Sequence, residues 1–167
     1  MNQEMLERTR WFMNDRFGMF IHWGLYAIPA AGEWIMSERR IPAEQYEEYF
    51  HQFDPVDFDP VSWARLCKKA GMKYAVMTAK HHDGFCLFDS ALTYYKSTAA
   101  KAGRDLVRGF LDAFRAEGLK VGLYYSLLDW HHPDYPKYND INHPMRGNEA
   151  YRNEVIDFNR YLDYMHG

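Results

Sequence analysis

Residues 73–84 read Lys73-Tyr-Ala-Val-Met-Thr-Ala-Lys80-His81-His82-Asp83-Gly84. The run is short, β-prone and mostly apolar, and it stops at two histidines and an Asp-Gly pair that favours a turn. Such a run suits a strand covered on both faces, as in a parallel sheet. Two other stretches have the same form: Phe17-Gly-Met-Phe-Ile-His22-Trp23-Gly24 upstream and Lys120-Val-Gly-Leu-Tyr124-Tyr125-Ser126 downstream. All three end in polar groups. Strands are therefore expected near residues 18–23, 74–80 and 121–126.

Helical signals separate the runs. One helix is expected from near Pro42 through Tyr46 and Tyr49. A second has Asp59 as its N-cap, Pro60 at the first helical position and Gly71 as its stop. After Gly84 comes a loop of about twenty residues. Loops beyond ~12–15 residues are commonly functional, and Phe85, Leu87, Phe88, Tyr94 and Tyr95 predict that this one is packed. A third helix is expected from about Arg104 to Glu117, with Leu106, Phe110, Leu111 and Phe114 as its apolar stripe and Gly118 at its end. A proline- and histidine-containing loop follows Trp130. The last helix is expected from near Asn148, where Tyr151, Val155, Phe158 and Leu162 share a face.

The order βαβαβα implies a parallel sheet with right-handed crossovers, either an open doubly wound sheet or part of a (β/α)8 barrel. No G-x-G-x-x-G or phosphate-loop string follows any strand, so a nucleotide site has no support. Alternation puts Gly18, Phe20 and His22 on one face of the first strand, and Gly122, Tyr124 and Ser126 on one face of the third. Both series run small, aromatic, polar, which suits a tapering barrel interior that opens at the C-terminal strand ends, where barrel enzymes build their sites. The fold expected is α/β: the first three units of a TIM barrel, strand order 1-2-3, with residues 1–167 as a single domain.

Composition narrows the function classes. Of 167 residues, 47% are hydrophobic and 26% charged, the balance of a globular protein. The formal charge of −3 gives no basic footprint for nucleic acid or a membrane surface. The first residues are charged throughout and lack the apolar core of a signal peptide. No apolar run approaches the ~20 residues of a membrane span. Cys67 and Cys86 have neither a disulfide-scaffold nor a zinc spacing and read as reduced thiols. These features predict a cytoplasmic location. Aromatic residues, at 17%, are abundant enough to serve both a core and a ligand site.

Several residues are candidates for chemistry. His22 reads either as a hydrogen-bonded core histidine or as a ligand-facing donor at a strand end. His81 and His82 point to opposite faces of a regular strand, so both can serve one ligand only if the strand ends there. A metal is not expected, because His-His does not place two imidazoles on one face and no Cys or Glu cluster completes a site. Glu33-Trp34 pairs a carboxylate with an indole, as carbohydrate sites do, or is a surface loop with an anchoring tryptophan. Glu33, Asp83 and Asp129 are candidate carboxylates, but no spacing pairs them. Asp83 reads as a turn residue and Asp129 as a loop cap. No G-x-S-x-G supports Ser-His-Asp chemistry.

Together the strings say more. Trp11-Phe12, Arg16-Phe-Gly-Met-Phe-Ile-His-Trp-Gly-Leu-Tyr26, Pro29 and Gly32-Glu33-Trp34 closely resemble the opening of family 29 glycoside hydrolases, the α-L-fucosidases. Trp63-Ala64, Ala70-Gly-Met-Lys-Tyr74 and Thr78-Ala-Lys-His-His-Asp-Gly-Phe85 resemble that family's second unit. Arg104-Asp-Leu-Val107 and Gly122-Leu-Tyr-Tyr-Ser126, with Asp129-Trp130, resemble its third. The resemblance implies a retaining, two-step hydrolysis of terminal α-L-fucose from glycans, without a cofactor. It implies that His22, Glu33, Trp34, His81, His82 and Tyr124 contact the sugar. It also implies a nucleophilic Asp after a fourth strand and a Glu acid/base further on.

A full barrel takes ~250 residues, so the chain is expected to be an N-terminal fragment of such a catalytic domain and inactive by itself. Inward faces carrying Phe20, Met77 and Tyr124 would then lack cover, and self-association or poor solubility is expected. A non-catalytic sugar-binding half-barrel acting as an oligomer and a metal-dependent hydrolase are the alternatives.

Overall fold

The computed structural model describes residues 3–167. Three parallel strands form one sheet in the order β1 (Gly18–Ile21), β2 (Tyr74–Lys80), β3 (Lys120–Tyr125). The helices are α1 (Gln3–Asn14), α2 (Ile35–Glu38), α3 (Ala43–Gln52), α4 (Pro60–Lys69), α5 (Leu106–Ala116) and α6 (Phe158–His166). This α/β order is the one expected for the opening units of a (β/α)8 barrel. No helix among the described residues is long and apolar enough to cross a membrane.

Register fixes what each face of the sheet does. Phe20 lies opposite Val76, Val76 opposite Gly122, and Thr78 opposite Tyr124, so these residues share one face. Met77 pairs with Ile21 and Leu123 and therefore lies on the other face. There it is fully buried with Ala75 and Ala79, on the side of β2 against which α5 packs. The expectation that Met77 shares a face with Phe20 and Tyr124 is thus corrected: it is one residue out of step with them. Small Ala75 and Ala79 leave room for α5 to approach. α5 buries Leu106, Val107, Phe110, Ala113 and Phe114, with the Phe110 and Phe114 rings 4.5 Å apart. Each ring removed from water stabilises the layer by roughly 1.5–3 kcal/mol. Leu111 is only partly buried at the edge of this stripe.

Helix ends follow the sequence signals closely. Asp59 caps α4 by accepting from Ser62 N–H, with Pro60 in the first turn, and Gly71 has φ +85 just past its end. Asp105 caps α5 by accepting from Arg108 N–H, and Gly118 closes it at φ +71. The loop after β2 is packed as expected: Phe85, Leu87 and Tyr95 are buried, and Leu87 N–H donates to Ala79 O. Tyr94 is its exception, being exposed, with its hydroxyl on Glu47.

Two elements differ from the expectations. The helix α1 has no buried residue, but Trp11 and Phe12 turn toward Tyr74 at the start of β2, and Lys120 lies over Trp11 while pairing with Asp15. It therefore sits at the N-terminal end of the sheet. The last helix does not begin near Asn148. Residues Glu149–Tyr151 form one 3-10 turn, Val155 is 96% exposed, and the helix starts at Phe158. Asp157 is the reason: its carboxylate accepts from Asn159 and Arg160 N–H, and its own N–H donates to Asp134. The buried residue of this helix is Tyr161, whose hydroxyl donates to Leu127 O.

Candidate active site

The C-terminal ends of the strands gather the polar residues. At β1 the tie is Thr78 of β2, whose hydroxyl donates to Ile21 O (3.1 Å) and accepts from Trp23 N–H (3.0 Å). This pins the strand exit, with His22 on the inner face beside Phe20 and Trp23 stacked on Phe58 across the outer layer.

On β2 the pairing breaks step. Thr78 lies opposite Tyr124 but Lys80 lies opposite Tyr125, so β2 advances two residues while β3 advances one. This bulge moves Lys80 to the face of Tyr125, where the ammonium lies 4.9 Å over that ring and bonds Leu128 O and Asp129 Oδ2. His81 then takes the inner face. Its ring is 4.9 Å from His22, 5.1 Å from Tyr26 and 5.8 Å from Tyr124. The strand has ended, Gly84 turns at φ +82, and the His82 ring sits 4.1 Å from His81. The condition for both histidines to serve one site is met.

His82 packs edge-on to Trp34 (4.7 Å) and against Trp130 (5.2 Å), and those indoles touch each other at 5.4 Å. Its Nδ1 is 2.6 Å from Ser126 Oγ. The serine oxygen also lies 3.0 Å from both Leu128 O and Leu128 N. A hydroxyl has one proton; directed at Leu128 O, it leaves the oxygen to accept from Leu128 N–H and from His82 Nδ1–H. The Nε2 lone pair of His82 is then free to accept from a ligand hydroxyl. Glu33 borders an open cleft of about 500 Å³ with His22, Tyr26, Ala27, Ala30 and Gly32.

His81 and His82 are held neutral. Burial, reinforced by His82 and His22, lowers the pKa of His81 to about 3. Burial, then the Lys80 charge, lowers that of His82 to about 4. A neutral imidazole offers one donor and one acceptor, which matches a sugar hydroxyl better than imidazolium does. The other carboxylates serve the scaffold. Asp129 pairs with Lys80 and caps its loop by accepting from His131 and His132 N–H. Asp83 accepts from Phe85 N–H and Tyr46 Oη, and burial raises its pKa to about 7. Among the described residues no three His, Cys, Asp or Glu side chains gather as a metal-holding group.

The structure thus brings His22, His81, His82, Tyr124 and Trp34 into one cluster, with Glu33 on the adjoining cleft. Four contributors carry no expected role from the sequence. Ser126 orients His82, Thr78 fixes the exit of β1, and Trp130 joins Trp34 to His82. Tyr26 backs both His22 and His81, 5.6 Å from the former. Ser126 could be found by its place on the Tyr124 face; Thr78, Tyr26 and Trp130 act through long-range packing that no local pattern shows.

The family model described as alpha-L-fucosidase matches residues 1–166. The chain belongs to the α-L-fucosidase family. A tissue alpha-L-fucosidase of Rattus norvegicus is 39% identical over 143 residues, covering 75% of this chain and 31% of that protein. Alpha-L-fucosidase isoenzyme 1 from Paenibacillus thiaminolyticus superposes with TM-score 0.94 at 69% identity, covering 96% of this chain and 38% of that one. An alpha-L-fucosidase variant from Lactobacillus casei, in complex with Fuca(1,6)GlcNAc, superposes at TM-score 0.83 and 34% identity, covering 95% and 54%. The chain therefore spans about a third of the length of its curated fucosidase relatives.

Proposed function

We propose that His22, Glu33, Trp34, His81, His82 and Tyr124 form the sugar-recognition part of an α-L-fucosidase active site acting on terminal α-L-fucose of glycans or fucosides. The observation that carries this reading is the convergence of two neutral, buried imidazoles with His22, Tyr124 and Trp34 at the C-terminal strand ends of a chain in this family. Imidazoles and the Tyr124 hydroxyl pair with ring hydroxyls. The Trp34 face suits the C–H surface and methyl group of a 6-deoxy sugar. Glu33 accepts from further hydroxyls. A retaining mechanism needs two carboxylates ~5–5.5 Å apart. Asp83 and Asp129 are committed to turns and an ion pair, so the six residues named above serve recognition and positioning, and the nucleophile and acid/base are not among them.

The test is saturation-transfer NMR on the 167-residue chain with methyl α-L-fucoside, and with methyl α-L-galactoside as the control that adds one hydroxyl. Transfer to the fucoside, strongest at its methyl group and lost in His82→Ala, is expected. Equal transfer to both sugars, or transfer unaffected by the substitution, would overturn the reading.

A further inference from the structure

The segment that carries Glu33 and Trp34 is not held by its own secondary structure. It lies between Ala30 and Arg40, both non-glycine residues at positive φ (49 and 52), with Gly32 at φ 97 between them. The helix α2 that follows Trp34 is four residues long, too short to be stable without tertiary support. Left-handed positions of this kind persist where the surroundings over-determine them.

Ile35 and Met36 of α2 are buried in the core, and polar support is added by the loop between β3 and α6. Arg146 Nη1 donates to Ser37 O and Ser37 Oγ, each at 3.1 Å, and to His143 O at 2.9 Å. Arg40 Nη1 donates to Arg146 O at 3.0 Å. Ser37 is a buried residue of α2, one turn beyond Trp34. Two guanidinium groups therefore fasten the 30–40 segment to a loop more than a hundred residues later. The same loop carries Trp130, which touches both Trp34 and His82.

We infer that Arg146 is a positioning residue for the sugar site: it fixes α2, and through it Trp34 and Glu33, against the histidines of β2. The inference rests on the sugar-site reading above and extends it to a residue that touches no part of the histidine cluster. It makes the wall of the site a joint product of two loops, so that Trp34 meets His82 at the right distance only while the clasp is closed.

The experiment compares the 167-residue chain with Arg146→Ala, Arg146→Lys and Ser37→Ala by hydrogen exchange over residues 32–40 and by titration with methyl α-L-fucoside. In Arg146→Ala, amides of 34–39 should exchange about tenfold faster while β2 and β3 keep their protection. Affinity for the fucoside should fall about tenfold. Arg146→Lys, which restores a donor, and Ser37→Ala, which removes one of three acceptors, should lie between wild type and Arg146→Ala in both measurements. Unchanged exchange would overturn the clasp, and faster exchange with unchanged affinity would overturn its role at the site. If the wild type binds no fucoside, the sugar-site reading fails, and exchange at 34–39 still decides whether Arg146 holds the segment.

Discussion

A regular strand sends consecutive side chains to opposite faces, so His81 and His82 share a site only because β2 loses step at Thr78–Lys80 and then ends. The pair itself and the Asp83-Gly84 turn are visible in the sequence. The bulge is not, because it depends on pairing with Tyr125 and on the ion pair that draws Lys80 outward. The resulting burial gives a pH signature with two opposing parts. His81 and His82 have folded pKa values near 3 and 4 against 6.5 for a free imidazole. As pH falls below 6.5 the unfolded chain takes up protons first, so their contribution destabilises the fold down to about pH 3–4. Asp83 has the opposite sign. Its folded pKa of about 7 lies above 3.8, so its contribution is present below pH 3.8 and is lost as pH rises through 7. Denaturation at pH 7, 5.5 and 4 should separate them: Asp83→Asn leaves the loss on acidification, and His81→Gln with His82→Gln removes it. Identical pH slopes in the three proteins would contradict both assignments. Ligand binding has a simpler expectation. His22→Ala or His82→Ala should each weaken fucoside binding by ~1–3 kcal/mol, the cost of unpaired hydroxyls, and calorimetric titration checks it.

Elements were readable where local chemistry decides them. Asp59-Pro60, Gly71 and Gly118 cap or stop helices through their own backbone and side-chain geometry, so those boundaries fell where the sequence put them, whereas Asp105 caps α5 and starts it at Leu106 rather than at Arg104. The final helix was not readable. Tyr151, Val155, Phe158 and Leu162 have helical spacing, but Asp134 holds the Asp157 N–H and pairs with Arg160, and this tertiary anchor starts the helix at Phe158. The end of β2 makes a similar point about Lys80. Lysine is almost never fully buried unless paired, and this one is fully buried against Asp129 at 3.0 Å. Removing one member of such a pair leaves an uncompensated charge at a cost of about 3–5 kcal/mol. Lys80→Met should therefore lower urea stability by that order and disorder the 127–132 loop. Lys80→Met combined with Asp129→Asn should recover part of the loss, because the neutral amide oxygen still accepts from His131 and His132 N–H. A double variant less stable than Lys80→Met alone would show that Asp129 is not the charge left stranded.

Across the whole molecule, the two faces of the sheet are in different situations. The face bearing Met77 is covered along β2, where Ala75, Met77 and Ala79 are buried, although Leu123 on β3 is 46% exposed; on the face bearing Phe20 that ring is 54% exposed beside Tyr124 and His22. β1 and β3 each pair on one side within the described residues. Open strand edges next to exposed aromatic surface favour pairing with other chains. The carboxylates point the same way for catalysis: Asp83 and Asp129 are buried in structural roles, which leaves Glu33 alone at the cleft beside His22, and one carboxylate cannot be both nucleophile and acid. The 167-residue chain in isolation should therefore self-associate, as read by light scattering across a concentration series, and should cleave aryl α-L-fucosides no faster than buffer. Phe20→Ser should reduce the association without altering the far-ultraviolet dichroism, because that side chain contributes little to the buried core. A wild-type monomer with turnover that disappears in Glu33→Ala would reverse both expectations, since it would require the cleft carboxylate to do chemistry with a partner that the described residues do not place beside it.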